Sequence, residues 1–147
     1  MNTSFRSIAG WTLLLLLLIQ FIPLRRINPA ATDSNSFKAP QPIQRVVKTA
    51  CYDCHSYETH WPKAAYIAPA SWVIYRTVSA GRNALNFSEW ESAKNEKTEK
   101  LRTTMLQTVE KGTAHQRLYY LWKPQSALSP RERGAVITWL KASLQKP

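Results

Sequence analysis

Residues 8–24 form the longest apolar stretch of the chain, centred on an unbroken run of leucines at 13–18. That length sits at the short end of what a membrane-spanning helix needs, and Gln20 and Pro23 fall toward its far end, where polarity costs less. The pattern predicts a single N-terminal transmembrane helix within residues 1–26. An export signal is the competing reading, but the small residues around Pro29, Ala30 and Ala31 do not fill both positions of an Ala-x-Ala cleavage site. Residues 27–42 then lose periodicity, are rich in Pro, Ala, Asn, Ser and Thr, and read as a linker.

Helical spacing takes over from residue 43. Ile43, Val46, Val47 and Ala50 fall on one face and predict a short first helix of the domain. Residues 56–68 look irregular. Pro69 can open a second helix and Gly81 can close it, with Trp72, Val73, Tyr75 and Val78 on its buried side. Ser88 and Glu91 have the spacing of a capping box, so a third helix is expected from Ser88. The charged positions at 94–100 read as its solvated face, while Leu101, Met105 and Val109 form an apolar stripe that runs to a C-cap at Gly112. Ser129, Pro130 and Glu132 repeat the start signal for a last amphipathic helix carrying Val136, Ile137, Leu140 and Leu144. No strand pattern competes. The expected fold class is all-α, with residues 43–147 as one small domain.

Within the first helical segment lie Cys51, Tyr52, Asp53, Cys54 and His55. Two thiols at this spacing followed at once by an imidazole is the pattern of c-type haem attachment, in which both thiols form thioethers and the His ligates the iron. Covalent attachment lets a small domain hold the macrocycle without burying all of it. Three rivals share parts of the pattern. A redox dithiol would want a βαβ surround, and none is visible; a structural zinc site would want four ligands from only two Cys and three His; a disulfide across so short a loop would stabilise little.

Charge adds a partner class. The chain carries 20 basic and 9 acidic residues, and Arg6, Arg25 and Arg26 flank the apolar segment, leaving about +8 beyond it. A basic surface of this size suits an acidic redox partner or anionic headgroups, with attraction that weakens as salt rises. No nucleic-acid readout motif is present. Arg6 before the apolar run and Arg25 and Arg26 after it leave the positive-inside rule balanced, so the haem motif decides orientation. Attachment of this kind is completed outside the bacterial cytoplasm, which predicts an inner-membrane, single-pass protein with the haem domain in the periplasm.

Four ordered blocks sharpen the reading. Cys51, Cys54, His55 and Ser56; Thr59, Trp61 and Pro62; Ile67, Pro69, Ser71 and Trp72; and Gly81, Arg82, Leu85, Asn86, Phe87, Ser88 and Trp90 together resemble the small haem-binding domain family of bacterial c-type cytochromes. The resemblance runs from about residue 43 to about residue 140. It implies a cytochrome c-like helical domain with one covalent haem c, held through Cys51 and Cys54 with His55 as proximal ligand. Trp61, Tyr66 and Ile67 are expected to wall the haem with Trp72 nearby, and Arg82 to pair with a propionate.

One departure concerns the sixth iron ligand. Family members usually carry Gly-x-Met-Pro after a helix, and the aligned positions here are Gly112, Thr113, Ala114 and His115. His115, one residue from the missing Met, is the leading expectation for the distal ligand, ahead of Met105, His60 and Lys123. A filled sixth position suits a carrier of single electrons. An open one suits a haem enzyme or a sensor of small gases or peroxide, and a haem-bearing assembly module of a periplasmic complex is a third reading.

Overall fold

The computed structural model describes residues 3–91, 95–112, 119 and 123–145, and within them every regular element is helical. In chain order these are α1 (Thr3–Leu18), α2 (Gln41–His55), α3 (Ala70–Ala84), α4 (Asn95–Lys111) and α5 (Pro130–Leu144), joined by short 3-10 turns. Helix α2 packs on α3 and α4 packs on α5, with α2 also touching α5. The all-α expectation is met among the described residues.

The expected transmembrane helix is not. Helix α1 has 16 residues and continues only as the 3-10 turn Ile19–Phe21. At 1.5 Å per residue it is about 24 Å long, short of the roughly 30 Å hydrocarbon layer. Among the described residues no helix is long and apolar enough to cross a membrane. The helix stops where Gln20 turns back to the domain: the Ala68 N–H donates to Gln20 Oε1 at 2.9 Å, and Gln20 Nε2 donates to the Ala68 carbonyl at 3.2 Å. The leucines of α1 stand exposed.

The segment at 27–42 is exposed over residues 27–34 but is anchored to the domain at Phe37. Phe37 is 1% exposed and meets Phe87, Trp90 and Trp139 edge-on, at ring separations of 5.1, 5.0 and 5.4 Å. Its N–H donates to the Phe87 carbonyl at 2.8 Å, and the Glu91 N–H donates to Asn35. One aromatic side chain placed between two helix pairs outweighs a composition that otherwise suggests a free chain. Ile43, Val47, Tyr52, Met105, Val136 and Leu140 complete this core.

Two start signals behave differently. Ser129 and Glu132 form the expected capping box at α5, with Pro130 in its first turn. Ser88 instead lies buried in the 3-10 turn Phe87–Glu89, whose cap is Asn86, and its hydroxyl accepts the Tyr57 N–H at 2.9 Å. Helix α4 therefore begins at Asn95 rather than at Ser88. Glu99 and Lys100 are exposed as expected, while Lys94 and the side chains of Glu96 and Lys97 lie outside the described residues. Gly112 closes α4 in the left-handed conformation, φ 63°. Gly81 does not close α3, which runs on to Ala84.

Phe37→Ala should lower unfolding free energy by about 3–5 kcal/mol, read by denaturant titration. A free linker would give a change of at most about 0.5 kcal/mol.

Candidate haem site

Helix α2 ends at His55, so its last turn carries Cys51, Cys54 and His55 together. All three line a cavity of about 360 Å³ whose walls are otherwise almost wholly apolar: Ala80, Gly81 and Ala84 from α3, Leu85 and Phe87, and Leu101, Met105 and Val109 from α4. The lining from α2 and α3 thus meets that from α4 across one slot. Neither cysteine is in a disulfide. Burial, with the neighbouring Cys54, pushes the Cys51 thiol up to about 12; burial and the Asp53 charge push Cys54 up to about 11. Both are neutral thiols, unlike the lowered pKa of a reactive redox cysteine.

The imidazole is fixed by its back edge. His55 Nδ1 lies 3.0 Å from the Leu85 carbonyl oxygen, which can only accept, so Nδ1 carries the proton. In that tautomer Nε2 is the unprotonated nitrogen, the form that ligates a metal, and a carbonyl behind the ring is the usual orienting partner of a metal-binding His. Phe87 meets the His55 ring edge-on at 6.4 Å and is itself stacked between Tyr52 and Trp90, at 5.2 and 5.6 Å. The proximal position is therefore continuous with the aromatic core.

The turn beyond the helix is held from two sides. Arg82 donates through Nε to the Ser56 carbonyl, through Nη1 to the Ile27 carbonyl, and through Nη2 to Asn28 Oδ1 and Thr59 Oγ1, all within 2.9 Å. The propionate partner expected in Arg82 is thus engaged as a latch joining the N-terminal segment to the attachment turn. On the other side, Asp53 accepts from Lys123, from the Tyr119 hydroxyl at 2.7 Å, and from the His60 N–H at 3.1 Å, with His60 Nδ1 3.0 Å away. Burial alone would raise the Asp53 carboxyl, but these hydrogen bonds outweigh it and hold it below its ordinary value.

The remaining expected residues separate. Trp61 lines a second cavity of about 640 Å³ with His60, Lys123, Gln125 and Val73, which borders the first through Cys54, Thr77 and Tyr119. Its Nε1–H is buried and meets no acceptor among the described residues. Trp72 is half-buried and lines neither cavity. Tyr66 and Ile67 are exposed, with the Arg26 guanidinium over the Tyr66 ring at 4.6 Å. His60 and Lys123 sit on Asp53 rather than beside His55, Met105 lines the His55 cavity, and His115 lies outside the described residues. Sequence reasoning missed the Leu85 carbonyl, which carries no side-chain signal, and Asp53, whose partners lie at least seven residues away.

This donor set fits a haem. Two thiols and one oriented imidazole open into an apolar slot, and the orphaned Trp61 N–H borders the adjoining space, where a polar substituent can accept from it. The slot also depends on a missing side chain. A Cβ at Gly81 would collide with the Cys54 carbonyl oxygen. Glycine to alanine in a helix otherwise stabilises by up to about 1 kcal/mol. Here the obstacle is backbone, so Gly81→Ala should destabilise by about 1–3 kcal/mol and lower haem loading, measured by thermal unfolding and by haem absorbance per protein.

The sequence pattern of the haem-binding domain family matches residues 14–142, reaching well before the blocks that first suggested the resemblance. No curated protein and no solved structure matches the chain. With most of the chain covered by that pattern and a cavity of suitable chemistry behind it, the chain belongs to the haem-binding domain family and is a haem protein.

Proposed function

We propose that this protein is a c-type monohaem cytochrome of the bacterial periplasm that carries single electrons. The observation that carries the reading is the shared cavity: Cys51, Cys54 and a His55 held as its Nδ1–H tautomer open into one apolar slot. When bound, haem supplies a reversible one-electron iron couple. Cys51 and Cys54 would hold the haem through thioethers, each thiol adding its sulfur to one carbon and its hydrogen to the other carbon of a vinyl group, with no net oxidation. His55 Nε2 would hold the iron, and the Leu85 carbonyl on Nδ1 would strengthen it as a donor. The apolar walls would limit water around the haem, and the Arg82 latch and the Asp53 cluster would hold the turn after α2, so that little need rearrange when charge changes.

The basic surface supports an acidic redox partner. A net charge of +11 favours encounter with an acidic protein at low salt. The rate of electron exchange with an acidic acceptor protein should fall steeply as ionic strength rises through the physiological range. A rate indifferent to salt would remove charge steering from the account.

Attachment has a direct test. After expression with periplasmic haem maturation, the full chain should gain the mass of one haem and keep it through denaturation. Cys51→Ala or Cys54→Ala should each remove one thioether, and the double variant should lose haem on denaturation. Haem that dissociates from the native sequence on denaturation would overturn covalent attachment. A reporter that is active only outside the cytoplasm, fused to the C-terminus, should be active in cells.

A further inference from the structure

Residues 101, 104, 105, 108 and 109 form one stripe of α4, and all five line the cavity shared by Cys51, Cys54 and His55. Met105 stands at the middle of that stripe and is 6% exposed. Its thioether is among the side-chain groups that commonly hold haem iron, with imidazole, thiolate and phenolate.

Among the described residues, the other groups in the slot that could hold iron are engaged elsewhere. His55 takes the proximal side, and the two thiols form thioethers under the reading above. Tyr119 donates its hydroxyl to Asp53, and burial, followed by that hydrogen bond, pushes its phenol well above the ordinary value, so it stays protonated. Thr104, Thr108 and Ser126 donate their hydroxyls to the carbonyls of Lys100, Thr104 and Thr49. His60 and Lys123 face the other cavity and hold Asp53.

We propose that the sulfur of Met105 is the sixth ligand of the haem iron, supplied by the α4 wall of the cavity that His55 also lines. The inference rests on haem occupying the cavity described above. A His55 and Met105 pair gives the iron a higher potential than two imidazoles would, and it closes the distal position to peroxide and small gases. The wall of α4 then has two tasks, packing against α5 and ligating the iron.

The chain has only two methionines, Met1 and Met105, which makes the test simple. The full-length, haem-loaded protein is labelled with [13C-methyl]methionine and reduced. One methyl resonance should move far upfield under the porphyrin ring current, and the ferric protein should show the weak near-infrared sulfur-to-iron charge-transfer band. Met105→Leu, which keeps side-chain volume and so leaves packing nearly intact, should abolish both signals and either lower the potential or leave high-spin iron. His115→Ala should leave both in place.

Two ordinary methyl shifts, a band that survives in Met105→Leu, or loss of low-spin iron in His115→Ala would each overturn the proposal. The methyl shift is read in folded, haem-loaded protein however the haem is attached. Haem lost on denaturation with the shift present therefore counts against covalent attachment alone. Haem retained with no shift counts against Met105 alone.

Discussion

The hydrogen bond between His55 and the Leu85 carbonyl is the constraint on which the rest of the site depends. It fixes both which ring nitrogen carries the proton and where the ring points, the two conditions a proximal ligand must meet before any metal arrives. The carbonyl is available because α3 ends at Ala84 and the backbone turns extended at Leu85. Two residues later Phe87 enters the core and stacks between Tyr52 and Trp90. The His55 position and a packing position are thus set by one short stretch of chain, so loosening the core would also loosen His55.

Around that bond the attachment turn is pinned by two kinds of contact. Arg82 spends its guanidinium on carbonyls, an amide and a hydroxyl from two separate parts of the chain, where planarity and a fixed fork of donors matter more than charge. Asp53 works by charge, accepting from Lys123, Tyr119 and His60 while itself lying within the motif between the two cysteines. Gly81 completes the arrangement by letting α3 approach the Cys54 carbonyl more closely than a side chain would permit. These are reasons for the residue types at 53, 81 and 82 that do not require direct contact with the haem.

The two helix pairs give the site its depth. Helix α2 and its partner α3 supply the side that carries Cys51, Cys54 and His55, while α4, held by α5, supplies an apolar wall with Met105 at its centre. A haem held in an apolar slot of this kind would have its potential set strongly by the burial and by its axial ligands. The exposed leucines of α1 stand apart from this core, joined to it through the Gln20 and Ala68 pair.

The family's cofactor class was legible in the residues themselves, because two thiols and an imidazole at fixed spacing on one helical turn need no tertiary information to suggest a haem. So were the amphipathic stripes of α2, α4 and α5 and the capping box at Ser129, since each is a local pattern with local causes. Length misled at α1, where an apolar run of 17 residues gave a helix of 16 that ends before the run does, because Gln20 finds a partner 48 residues away. Composition misled at 27–42, where one phenylalanine decides the packing, and spacing misled at Ser88, whose hydroxyl prefers the Tyr57 amide to its own helix. The Leu85 carbonyl, the role of Arg82 as a latch and the place of Met105 on the cavity wall were decided only by the tertiary structure. Each depends on segments distant in sequence meeting in space, and no pattern within one segment encodes that meeting.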